Sequence, residues 1–113
     1  MKLSGLTILD VMWFVEERGY YPCPEAIADL KEFGLDRPIE EYLDTKDFSI
    51  GYTLWYMHML AKNSIDMSIL YRDYHDDVGY FTEDNIRKMF REKYFPAIVK
   101  FIKGSEYVTK TRN

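Results

Sequence analysis

Three side chains in this 113-residue sequence have the chemistry of a nucleophile or an imidazole base: Cys23, His58 and His75. Cys23 stands just before Pro24, at the N-terminal edge of an expected helix, where the helix dipole favours a thiolate. Cys–His chemistry would need one of the two imidazoles beside it. His58 lies within an apolar helical run, where a lone histidine reads as a packed core residue. The carboxylate pairs Glu16/Glu17 and Glu40/Glu41 are adjacent in sequence, so each pair splits across a helix surface and does not converge. No Gly-rich phosphate loop, His-Glu-x-x-His pair or cysteine cluster occurs. No catalytic residue, cofactor or metal ligand is expected, and the chain reads as non-enzymatic.

The segment Tyr74-His75-Asp76-Asp77-Val78-Gly79 has the outline of a calcium loop. With Gly79 at the sixth loop position, Tyr74 is the first ligand, Val78 the fifth and Asn85 the twelfth. An EF-hand needs oxygen ligands at the first and fifth and a bidentate Glu at the twelfth. The pattern fails, and His75–Gly79 reads as a polar turn.

Composition narrows the class. Hydrophobic residues make up 47% and charged residues 30%, which argues for a folded domain and against disorder. Ten Tyr, seven Phe and two Trp are more rings than one small core encloses. Some aromatic surface should therefore face outward, as it does at interfaces. The lone cysteine excludes an intrachain disulfide and points to a reducing, intracellular (cytoplasmic) location. No signal peptide is expected, because Asp10, Glu16 and Glu17 break the first apolar run. Nowhere do about 18 apolar residues run together, so no membrane span is expected. The net charge of −4 divides unevenly: residues 1–79 hold 15 acids and 7 bases, residues 80–113 hold 4 acids and 8 bases.

These residues require helices to position them. Leu6, Leu9, Val11, Met12, Trp13, Phe14 and Val15 predict a helix over 6–18, stopped by Gly19. Pro24 suits the first turn of a second helix, with Ala26, Ile27, Leu30 and Phe33 on one face and Gly34 as its end. Pro38 begins a short third, with Ile39, Tyr42 and Leu43 inward and Glu40 and Glu41 at its dipole-positive end. A fourth starts near Asp47 or Ser49 and runs to about Asn63, apolar nearly all round. Residues 65–74 fit helix and strand about equally and read as helix; a small hairpin near 67–81 is the alternative. Thr82 caps a last helix through about Lys103, which Pro96 should kink or divide. Gly104 ends it, and 105–113 reads as a frayed tail. The expectation is one all-α domain over 1–104, a compact bundle of five to six helices.

Residues 8–35, ILDVMWFVEERGYYPCPEAIADLKEFGL, resemble the opening two helices of a winged-helix domain of the LexA repressor type. Gly19, Tyr20, Pro22, Ile27, Ala28, Gly34 and Leu35 carry the likeness, within a region extending to residue 43. It implies a helix-turn-helix-like N-terminal part and nucleic-acid recognition by the helix after Pro38. Yet Asp36–Asp47 holds five acids and two bases, and an acidic reading helix would be repelled by phosphates.

The leading reading is a protein-interaction module that binds, and regulates or inhibits, a macromolecular partner, either another protein or a second copy. Its candidate contacts are Tyr20, Tyr21, Trp55, Tyr56, Met59, Tyr71 and Tyr74. Glu40, Glu41, Asp44 and Asp47 form an acidic surface suited to a basic partner or to mimicry of nucleic-acid charge. The alternative is a winged-helix-like nucleic-acid regulator, using Arg87, Lys88, Arg91 and Lys93 with nearby rings.

Overall fold

Thr7 opens the first helix, α1 (Ile8–Glu16), through a reciprocal cap. Its hydroxyl accepts from the Asp10 N–H at 3.1 Å, and the Asp10 carboxylate accepts from the Thr7 N–H at 3.0 Å. The computed structural model describes residues 4–104. These divide by contact into two units, 4–48 with 101–104, and 49–100.

In the first unit, Gly19 ends the stretch after α1 with φ 87°, a left-handed conformation that a Cβ would disfavour. Pro24 takes the first position of α2 (Pro24–Phe33), and Gly34 closes it at φ 126°. The third helix, α3 (Ile39–Leu43), follows Pro38. The connector between α2 and α3 is tied to the start of α1. Ile8 N–H donates to the Arg37 carbonyl and Leu9 N–H to the Leu35 carbonyl. Asp10 N–H bonds to the Thr7 hydroxyl, and Thr7 N–H to the Asp10 carboxylate. All four N–H groups that a helix start leaves open are thus satisfied within the chain. Around them Leu6, Ile8, Met12, Phe14, Val15, Ala26, Ile39, Leu43, Phe48 and Ile102 are buried. Phe14 meets Phe101 edge-on at 5.7 Å, and Phe33 meets Tyr42 at 5.4 Å.

In the second unit every helix start carries a hydroxyl cap. Ser49 caps α4 (Ile50–Ala61), Ser64 caps α5 (Ile65–Tyr80), and Thr82 caps α6 (Glu83–Met89). Helix α5 corrects the sequence expectation. His75–Gly79 is not a turn and 67–81 is not a hairpin, because the helix continues unbroken to Tyr80. Local propensity is weak across Asp-Asp-Val-Gly, and tertiary anchoring overrides it. Met67 and Tyr74, seven residues apart, are buried on one face, and Asp77 holds the hydroxyl of Tyr94.

The helix after Thr82 is continuous from 83 to 103, with a π turn at Phe90–Tyr94 between α6 and α7 (Phe95–Lys103). Phe95 N–H reaches back five residues to the Phe90 carbonyl. Pro96 has no N–H to give to the carbonyl four residues before it, and the wider turn accommodates its ring. The expected kink or division is therefore a local widening. It has a packing consequence. The buried residues Ile86, Phe90, Tyr94 and Ile98 stand four apart. On an unbroken α-helix such spacing drifts about 40° per step, about 120° over three steps. One extra residue in the turn takes back about 100°, so the four line a single face.

Among the described residues there is no strand, only an isolated bridge between Thr7 and Pro38. With 83–103 taken as one helix, six helices form an all-α fold, as the sequence led one to expect. The tail at 105–113 lies outside the described residues.

Candidate functional site

The aromatic and acidic residues singled out from the sequence fall into three environments. Tyr21 is 69% exposed and Tyr20 half-buried. Asp44 and Asp47 are exposed, but the neighbouring glutamates have work inside the chain. Glu40 accepts from both the backbone N–H and the hydroxyl of buried Ser4. Glu41 accepts from Arg37 Nε at 2.9 Å, and the Arg37 guanidinium also covers the Phe33 ring at 4.0 Å. The acidic surface is thus narrower than four residues suggest: Glu40 is turned to Ser4, and Glu41, Asp44 and Asp47 are its exposed members.

On α4, Trp55 and Tyr56 are half-buried, while Met59 is buried beside Met57 and Leu60. His58 is exposed, contrary to the core position expected of it. Its ring lies 5.1 Å from that of half-buried Tyr71, whose other neighbour is His75 at 5.8 Å. Cys23 is an exposed free thiol.

Tyr74, expected at the surface, is wholly buried. Once α5 runs through to Tyr80, position 74 lies two turns from Met67 and faces inward. Its ring packs on Phe90 at 5.3 Å and Tyr94 at 5.1 Å. Burial pushes its hydroxyl above the ordinary phenol range, against opposing effects of Thr53 and Arg87. Tyr94 is raised well above that range, first by burial, then by the Asp77 carboxylate that accepts its proton, and by the charge of Asp73. Two buried phenols held in their protonated form brace α4, α5 and the π turn. They offer nothing to a ligand from solution.

The outer face of α5 is different. Ile65, Ile69, Arg72, Asp76, Gly79 and Tyr80 are all exposed. At about 100° per residue they fall within one stripe, opposite Met67 and Tyr74. Ile65 is 75% exposed, Ile69 45% and Tyr80 85%, and Phe81 next to the stripe is exposed as well. Large apolar side chains in such a row are costly to leave in water. Ile65, Ile69 and Phe81 were not singled out from the sequence. The signal was the spacing of four between the two isoleucines, which needs a continuous helix to be read.

Among the cations, Arg87 is mostly covered, its guanidinium 3.2 Å from Glu83. Lys88, Arg91 and Lys93 are exposed, with the Lys93 ammonium 5.1 Å from the Tyr94 ring centre. Lys88 and Arg91 share a side by their spacing of three, and Lys93 falls off that row.

Among the described residues, no three His, Cys, Asp or Glu side chains gather closely enough to hold a metal ion. No described helix is long and apolar enough to cross a membrane. No family model, curated protein or solved structure matches the chain. The likeness to LexA-type opening helices rests on the residues quoted for it, and the segment weighed as a small hairpin near 67–81 lies in helix α5.

Proposed function

We propose that the chain is a non-enzymatic protein-interaction module that binds, and thereby regulates or inhibits, a macromolecular partner. The observation that carries this reading is the exposed stripe of α5, with Ile65, Ile69 and Tyr80 standing in solvent. Burying such side chains stabilises a complex by roughly 1.5–3 kcal/mol each before ordering costs. Exposed Tyr21, Asp44 and Asp47 are further contacts on this reading. The free, exposed thiol of Cys23 suits a reducing cytoplasm.

Affinity capture from the native host, with and without nuclease, tests it. The expected result is a protein retained by the wild-type chain in both arms and lost with Ile69→Glu. Equal recovery by wild type and variant, or none by either, would overturn it. The exposed Lys88, Arg91 and Lys93 favour a second reading, a nucleic-acid-binding regulator. Its mark is salt-sensitive retention that disappears on nuclease treatment.

A further inference from the structure

The α5 stripe is complementary to itself when reversed. In chain order it reads Ile69, Arg72, Asp76, Tyr80: apolar, positive, negative, apolar. Neither the Arg72 nor the Asp76 side chain has a hydrogen bond or ion pair among the described residues, although they stand four apart on one helix. We propose that α5 is a docking surface for a second copy of this chain, the two α5 helices lying antiparallel across a two-fold axis between Arg72 and Asp76.

The register follows from residue numbers. Placing Arg72 of one copy opposite Asp76 of the other puts Asp76 opposite Arg72, as an isologous contact requires. Ile69 then faces Gly79 and Tyr80 of the second copy, once on each side of the axis. A Cβ built at Gly79 would meet nothing within 4 Å, so the isoleucine has a hollow to enter beside the tyrosine ring. Ile69 and Tyr80 are about 16 Å apart along the helix, so the apolar pairs flank the ion pairs at both ends. A parallel arrangement would set Arg72 against Arg72 and Asp76 against Asp76, which like charges disfavour. The charges select direction and register, and the isoleucine and tyrosine supply the adhesion. A face on a 16-residue helix is smaller than the roughly 800 Å² per partner of a standard interface, so the dimer is weak and concentration-dependent.

This proposal rests on the reading of the chain as an interaction module and names its partner. Sedimentation equilibrium of the full chain should show one-chain mass at low concentration and two-chain mass on concentrating. Ile69→Glu, Arg72→Asp and Asp76→Arg should each raise the dimer Kd about tenfold or more. The decisive arm mixes the two charge variants. Each alone sets like charges against each other, whereas one of each restores both ion pairs, so the mixture should form the heterodimer that neither forms alone. An ion pair within one helix cannot produce that result. One-chain mass up to about 1 mM, the weak end of the affinity scale, would overturn the proposal, as would no recovery on mixing. If the chain stays monomeric while Ile69→Glu abolishes capture of a different protein, self-pairing fails and the interaction reading stands. If neither occurs, both fail. Circular dichroism of each variant confirms that the helices are kept.

Discussion

The hydroxyl of Tyr74 lies 2.7 Å from the hydroxyl of Thr53, joining α5 to α4 inside the core. Thr53 has one proton and gives it to the Ile50 carbonyl at 2.7 Å. Tyr74 is therefore the donor in the pair. Thr53→Val removes its acceptor and leaves a buried phenol unsatisfied, at a cost of about 1–3 kcal/mol. Adding Tyr74→Phe should recover part of that loss. Urea unfolding of the two single variants and the double gives the coupling, and strict additivity would show that the pair does not interact.

Stability should fall as the solution becomes strongly alkaline. Tyr74 and Tyr94 are both raised above the ordinary value of 10.0 in the folded chain. The unfolded chain then releases these protons first, so it binds fewer protons than the native state above that pH. Their contribution is fully present below about pH 10 and lost as pH rises toward the folded values, by about 1.4 kcal/mol per pH unit for each tyrosine. Tyr94→Phe should flatten the decline, as read from urea midpoints between about pH 8 and pH 11.

Two glycines should respond to alanine with opposite sign. Gly79 is helical, exposed and faces open space, so Gly79→Ala should stabilise the dilute chain by about 0.5–1 kcal/mol. Gly34 has φ 126°, and a Cβ there would stand 2.7 Å from Arg37 Cδ. Gly34→Ala should destabilise by about 1 kcal/mol or more. Thermal unfolding of both variants distinguishes them in one experiment.

The adjacent acids Glu40 and Glu41 should also part company. Glu40→Ala loses two bonds to Ser4, one of them to a backbone N–H, and should cost about 1.5–3 kcal/mol. Glu41→Ala loses an exposed pair with Arg37 and should stay within about 1 kcal/mol. Equal effects in denaturant would overturn the structural role given to Glu40 through Ser4.

What the sequence made legible was mostly punctuation. Pro24, Gly34 and Thr82 mark helix ends by chemistry local to each residue, and each stands where it was read. Thr7 and Asp10 carried the same kind of signal, a threonine three residues before an acid, and tighten the start of α1 from residue 6 to Ile8. The second half of α5 was obscured because Asp76, Asp77 and Gly79 favour a turn locally, while the side-chain bond that anchors Asp77 comes from Tyr94, 17 residues beyond it. That single misreading hid the candidate surface too. With α5 cut short at 74, Tyr74 passes for a surface ring, and Ile69 and Tyr80 never fall into line.

The π turn at Phe90–Tyr94 makes this helix one residue longer than its α-helical periodicity needs. Deleting a single residue there would let the backbone revert to a plain α-helix at little local cost and keep Tyr94 and Ile98 on the face of Ile86 and Phe90, whereas straightening the turn with every residue kept would swing them about 100° away. The segment thus behaves as a retained insertion. Distant relatives that lack Pro96 should also lack this residue, and they will align with the chain only when a one-residue gap is permitted between Met89 and Phe95.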